Sequence, residues 1–445
     1  MMDCCYASFF SGSIAAIDCI PDSRRQIKQQ YLSSGLIFLK VVKIQAIIRS
    51  LASAKKPFLP CTGSFGIGKF QIGLKILMIK DNTRHSDLHI ENKLPINLCA
   101  LCTKMTFMRV ESLNIFRFIA AIIIINFHFT HLYPGFLTSG PEMVTFFFVL
   151  SGVVLILAYY DKENFSSKNF FIRRIIKLYP SYLVALAMVI AWYSTIPLDI
   201  SIEKSLLNLL ALQAWFPSHP LDLNFPAWAI SVEVFFYLSF PVILYILKKN
   251  WLNPYYIVLF ALGFWAITQI IIIYLLNSNI YAGEPSALHD ILFNSPLSHF
   301  CSFSLGIAIG YLAEKRDLEL PKTISYAFFI FSIIIIYFTC ENQKAIDGFL
   351  GFSLPFESSF MAPFMGLFIL ANILNNKYTS KYFSNKFFIT LGESSYQLYI
   401  FQYPIFIIYN KYLSNKYLFL IMYIIFSILT YILLNSIRKK PPLNP

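Results

Sequence analysis

The sequence predicts an all-α fold, a polytopic integral membrane helical bundle of about ten transmembrane helices. Three observations carry that prediction. The first is composition: 57% of the 445 residues are hydrophobic and only 13% are charged, against about 25% charged in an ordinary soluble domain. The second is length: apolar runs of 18 or more residues recur from about residue 112 to the C-terminus, each long enough to cross the hydrocarbon of a bilayer. The third is the placement of Lys and Arg, which fall in alternate loops.

The elements follow in order. The first span, 112–132, contains LNIFRFIAAIIIINFHFTH. The second, 143–160, is followed by an inside loop carrying Lys162, Lys168, Arg173, Arg174 and Lys177. After the third, 178–196, comes a long outside segment, 197–227, with the amphipathic run IEKSLLNLLALQAWF. That run reads as an interfacial or re-entrant helix, or else as an eleventh partial span. The fourth span, 228–247, ends at Lys248 and Lys249. Spans five and six, 254–276 and 297–313, return to Lys315, Arg316 and Lys322. Spans seven and eight, 324–340 and 357–375, return to Lys377, Lys381 and Lys386. Spans nine and ten, 387–409 and 417–436, end at Arg438, Lys439 and Lys440. With the N-terminus inside, the inside loops hold 16 basic residues and the outside loops only Lys204, Lys344, Lys411 and Lys416. This asymmetry predicts a multi-pass protein of the cytoplasmic (inner) membrane with both termini cytoplasmic.

Residues 1–104 differ from the rest. Their apolar stretch SGLIFLKVVKIQAII is interrupted by Lys40 and Lys43, and six of the eight cysteines lie here. We expect a poorly structured N-terminal extension over 1–104 and a membrane domain over 105–445. Met105 and Met108 stand just before the first clean span, and the native chain is expected to begin at one of them. Only Cys301 and Cys340 fall in the membrane part, so no disulfide framework is implied there. The net charge of +13 comes largely from inside loops, and no basic groove with interleaved aromatics points to nucleic acid. The lipid bilayer is the expected surrounding.

Arg117 and His128 both sit in the first span. Ionisable side chains at membrane depth are costly and usually functional. Eleven residues of α-helix place the two roughly 16 Å apart along the axis, on nearly one face. A titratable imidazole and a fixed cation so arranged suggest a reaction centre spread across the bilayer. His128 reads either as a general base or as a structural histidine of the bundle. Arg117 reads as an anion binder or charge stabiliser, or as a snorkelling side chain at the membrane edge.

Five segments taken in order resemble the membrane acyltransferase 3 family, the O-acetylases of cell-surface polysaccharides. They are LNIFRFIAAIIIINFHFTH (113–131), FFFVLSGVVL (146–155), FFIRRIIKLYPSY (170–182), WAISVEVFFYLSFPVIL (228–244) and LGESSYQLYIFQYPI (391–405). The resemblance maps the family's Arg-x10-His pattern onto Arg117 and His128. It implies an acyl group moving from acyl-CoA, such as acetyl-CoA, to a carbohydrate hydroxyl, with Arg173, Arg174 and Lys177 holding the donor's phosphates. The plain alternative for these basic residues is topology charge alone. Glu233 of WAISVE, a carboxylate inside the fourth span, needs a partner, and Arg117 or His128 is expected to provide it. Three positions depart from the family pattern: Lys177 stands for a third Arg, Val234 for a second Glu, and Gln402 for a His.

Other features carry less. Ser151 reads as a helix-packing residue, Trp228 as an interface anchor and Tyr237 as packing. His289 and Asp290 lie in an outside loop. GSFGIGK (63–69) lacks the hydroxyl residue of a nucleotide-binding loop, ending at Phe70. Cys99 and Cys102 have no second pair at metal spacing, and no metal is expected. The expected function is a membrane-bound O-acyltransferase acting on a cell-envelope glycan or lipid-linked sugar. The rival is a glycan or lipid transporter without acyl transfer.

Overall fold

The computed structural model describes residues 112–438, apart from 133–134, 194–200, 251, 316–320, 376–382, 384 and 413–414. The proposed extension 1–104, with GSFGIGK and the CxxC pair, lies outside the described residues. The order is α1 (Leu113–Ile125), continued by a π-turn (Asn126–Thr130), α2 (Gly140–Tyr159), α3 (Ser167–Tyr193), α4 (Ile202–Leu209) and α5 (Trp228–Asn250). Next come α6 (Pro254–Leu276), α7 (Ala287–Phe293), α8 (Pro296–Lys315), α9 (Lys322–Glu341) and α10 (Gln343–Leu350). The chain closes with α11 (Ala362–Leu374), α12 (Lys386–Ile400), α13 (Gln402–Tyr412) and α14 (Lys416–Arg438). Nine of the described helical runs are long and apolar enough to cross a membrane. The chain is a multi-pass membrane protein.

The ninth expected span, 387–409, is broken into α12 and α13. Pro404 is the physical reason: it has no N–H to offer the carbonyl of Ile400, and its ring crowds that oxygen. The freed carbonyl accepts from Asn224 Nδ2 at 3.1 Å. The third span starts earlier than hydropathy suggested, because the basic residues Arg173, Arg174 and Lys177 lie inside α3. The amphipathic run 202–216 holds the short α4, about 12 Å long and too short to cross, and a 3-10 turn at Gln213–Trp215. Ile202, Leu206 and Leu209 are exposed on it, as an interfacial helix requires.

Helices α2 and α8 form the centre of the bundle. They approach closely at glycines, as membrane helices do where small residues let backbones meet. A Cβ at Gly306 would stand 2.0 Å from the Val149 carbonyl oxygen, and one at Gly152 would stand 2.4 Å from that of Phe303. Residue 306 therefore tests the crossing. Gly306→Ala is expected to destabilise the protein by about 1–3 kcal/mol, read as a lowered melting temperature in detergent. Gly263 on α6 has open space around it, so Gly263→Ala should be neutral or slightly stabilising. Equal melting temperatures for the two variants would refute the close crossing. The outer helices differ: α6 and α14 are only 17% buried over their spans, against 78% for α2, so their apolar faces turn to lipid.

Backbone breaks inside the bundle are satisfied by side chains, as the bilayer demands. Around the irregular turn Phe356–Phe360, Thr145 Oγ1 donates to Ser358 O at 2.8 Å and Trp265 Nε1 donates to Ser359 O at 2.8 Å. The buried His299 bonds Phe293 O and Ser359 Oγ there, at 2.8 and 3.1 Å.

Candidate active site

One cavity opens among α1, α2, α3, α5 and α12. It holds about 910 Å³ of empty space including its open side, within the usual range of small-molecule sites. Its polar wall is Arg117, Ser151, Arg174, Lys177, Glu233 and Tyr237, and most of the remainder is apolar or aromatic.

Each polar residue is positioned by its helix. Arg117 lies one turn into α1, and its Nε is buried without a hydrogen-bond partner. Arg174 lies on the inward side of α3, stacked on the rings of Tyr159, Phe170 and Tyr237 at 5.7, 5.3 and 5.4 Å. Its Nε is likewise buried and unpartnered. Lys177, one turn on, is exposed and marks the open side. Arg173 is exposed and does not line the cavity. Glu233 on α5 accepts from Ser151 Oγ at 3.2 Å and from Tyr237 OH at 3.1 Å. Arg117 interacts electrostatically with Glu233 and with Glu393 of α12. Three cations thus face a single lining carboxylate. An anion with several oxygens suits that surplus, and guanidinium forks suit phosphate or carboxylate best.

His128 lies beyond this wall. Eleven residues of unbroken α-helix would keep it on the face of Arg117, but the π-turn is wider and shifts it out of phase. The cavity lining includes Arg117 and not His128. The imidazole sits among aromatic rings, with Phe225 edge-on at 5.0 Å and Phe127 and Phe129 at 5.1 and 5.6 Å. Its Nδ1 is 2.9 Å from Gln402 Oε1. The link back to the cavity runs through α12: Gln402 Nε2 donates to the carbonyl of Tyr399 at 2.9 Å, and Tyr399 lines the cavity. Asn126 holds the π-turn in place. Its Nδ2 donates to Leu137 O, while its Oδ1 accepts from Thr130 Oγ1 and Leu132 N, all at 2.8–2.9 Å. His131 follows, exposed and in the left-handed region at φ 44°.

The structure brings together four of the six residues singled out from sequence: Arg117, Arg174, Lys177 and Glu233. Of the two partners considered for Glu233, Arg117 shares its cavity and His128 does not. Ser151 and Tyr237, read from sequence as packing, both donate to Glu233. Tyr237 had a signal, since it lies four residues after Glu233 on one helix. Ser151 had none, being 82 residues away on another helix. Asn126 and Tyr399 were not singled out at all. Trp228 packs on His299 and Phe148, with ring centroids 5.2 and 6.0 Å away. Away from the cavity, Asp290 accepts from Ser218 N at 2.7 Å and His289 pairs with Tyr281 OH at 2.9 Å. Among the described residues no cluster of three or more His, Cys, Asp or Glu side chains has a metal-holding arrangement.

A family model described as an acyltransferase domain matches residues 110–439, the whole of the helical bundle described above. The chain belongs to this acyltransferase family. That domain takes up most of the chain. Among relatives, it is 34% identical to acyltransferase MdmB of Streptomyces mycarofaciens over 119 residues, which is 25% of this chain and 30% of that protein. It is 24% identical to O-acetyltransferase OatA of Staphylococcus aureus (strain NCTC 8325 / PS 47) over 341 residues, 70% of this chain and 53% of that protein. The chain thus spans about half or less of the length of these relatives. No solved structure matches.

Proposed function

We propose that the protein is an O-acyltransferase of the cytoplasmic membrane, with both termini inside. It takes an acetyl or other short acyl group from acyl-CoA at the inner side and places it on a hydroxyl of a cell-envelope glycan or lipid-linked sugar at the outer side. The observation that carries this reading is the cavity with three cations against one carboxylate, built into apolar helices that would otherwise exclude charge. Its cationic wall lies at the helix ends that the distribution of basic residues assigns to the cytoplasm. This is where a coenzyme A thioester is available.

The chemistry divides between the two ends of α1. Arg174, Lys177 and Arg117 hold the phosphates and offset developing negative charge. His128 takes the proton of the acceptor hydroxyl as the oxygen attacks the thioester carbonyl. The carbon–sulfur bond then breaks, and the imidazolium returns the proton to the departing coenzyme A thiolate. The products are an ester and free coenzyme A, with no net change in protons. Glu233, held by Ser151 and Tyr237, orients Arg117 rather than touching the reacting atoms.

The test is turnover of [14C]acetyl-CoA by the purified chain in proteoliposomes, with envelope glycan or lipid-linked sugar supplied on the opposite face. Labelled ester on the acceptor, with stoichiometric release of free coenzyme A, is the expected result. Movement of the sugar across the membrane with no release of coenzyme A would overturn the reading in favour of transport.

A further inference from the structure

Gln402 replaces the histidine of the family pattern and cannot itself take up a proton. Its geometry assigns it another task. The side chain is fully buried at the break between α12 and α13. Its Nε2 lies 2.9 Å from the carbonyl oxygen of Tyr399. A carbonyl oxygen can only accept, so the NH2 end of the amide must face Tyr399. The carbonyl end of the same amide therefore faces His128 Nδ1 at 2.9 Å. An amide oxygen can only accept as well, so Nδ1 carries the hydrogen. A neutral imidazole has one N–H, and its Nε2 then holds a lone pair. Nε2 has no hydrogen-bond partner among the described residues, and the rings of Phe127, Phe129 and Phe225 flank the imidazole.

We infer that Gln402 is a positioning residue that locks His128 in the Nδ1–H tautomer, leaving Nε2 bare to receive the acceptor's proton. The catalytic consequence rests on His128 being the general base proposed above; the tautomer itself does not. The lock is anchored in backbone: the carbonyl of Tyr399 fixes the amide, the amide fixes the ring, and the break imposed by Pro404 puts Gln402 at the first turn of α13. The orienter of a catalytic histidine need not be charged for this purpose. It must present an acceptor that cannot turn into a donor.

Two measurements on the full chain in nanodiscs test this. The first is 15N NMR of histidine-labelled protein above neutral pH, with the His128 signals assigned by their loss in His128→Gln. Protonated and bare ring nitrogens are well separated in such spectra. The wild type is expected to show Nδ1 protonated and Nε2 bare. In Gln402→Met, of similar length but with no fixed acceptor, the ring should shift toward the Nε2–H tautomer. An Nε2–H ring in the wild type, or the same tautomer in Gln402→Met, overturns the lock whether or not the protein transfers acyl groups. The second measurement is acetyl transfer. Gln402→Met should lose roughly 10- to 100-fold in kcat with KM for acetyl-CoA unchanged. Gln402→Glu, which keeps an acceptor oxygen for Nδ1–H, should recover most of that loss. A general packing defect would lower both variants alike, and that outcome overturns the positioning role. If the lock is observed and the wild type turns over no acetyl-CoA, the inference about Gln402 stands and the proposed function falls.

Discussion

His128→Gln is expected to lower kcat for acyl transfer by about 10²- to 10⁴-fold, the usual worth of a positioned general base. Glutamine is the informative replacement. Its amide fills a similar volume and can still pair with Gln402, so the aromatic setting of Phe127, Phe129 and Phe225 keeps its support. Binding of acetyl-CoA should change little, since His128 does not line the cavity that holds the cationic wall. The expected signature is therefore a loss in kcat with KM for the donor preserved, which marks an interaction made in the transition state. Initial rates across a range of acetyl-CoA concentrations provide both numbers. Retention of wild-type kcat would remove His128 from the chemistry and leave it as one more buried structural histidine. His299 shows what that looks like, with one ring nitrogen on the Phe293 carbonyl and the other on Ser359 Oγ. His128 differs in having only one of its two nitrogens engaged among the described residues.

Much of this arrangement was legible before any coordinates. Hydropathy and the distribution of basic residues are one-dimensional properties, and they located most spans to within a few residues. They missed where a helix must break for reasons of backbone chemistry. Pro404 was visible in the sequence, yet a Pro inside an apolar run need not interrupt it. The interruption depends on Asn224, 176 residues away, to satisfy the exposed carbonyl. They also placed the start of α3 too late, because Arg173, Arg174 and Lys177 look like loop residues to a hydropathy scale. In the structure all three belong to α3, with Arg174 and Lys177 lining the cavity and Arg173 exposed away from it.

The site was legible in its charges and not in its neutral partners. Arg117, Arg174, Lys177 and Glu233 stand out because charge is rare inside an apolar helix. Ser151 and Asn126 do not stand out, because hydroxyls and amides are ordinary in membrane helices, and Gln402 stands out only against the family pattern. Their importance lies in which atom each one faces. The π-turn at Asn126–Thr130 had no marker either, although it decides which way His128 points.

Arg173 and Arg174 offer the sharpest contrast that structure adds to sequence, since the two are neighbours and the pattern treats them alike. Helix geometry separates them: adjacent residues on an α-helix point about 100° apart. Arg174 turns inward over Tyr159, Phe170 and Tyr237 and lines the cavity, while Arg173 is exposed and does not. Arg174→Met should therefore raise KM for acetyl-CoA about 10-fold or more, the loss expected when a hydrogen bond to a charged group, worth about 1.5–3 kcal/mol, is removed. Methionine keeps an unbranched apolar stem against the three rings, so a loss of packing is held small. Arg173→Met should leave KM within about twofold, because an exposed charge beyond the wall contributes only through screened, long-range attraction. Steady-state KM for acetyl-CoA in the two variants, each checked for an unchanged melting temperature, decides between them. Equal effects would mean that both arginines act only as topology charge at the membrane surface, and that the cavity is not where the donor's phosphates bind.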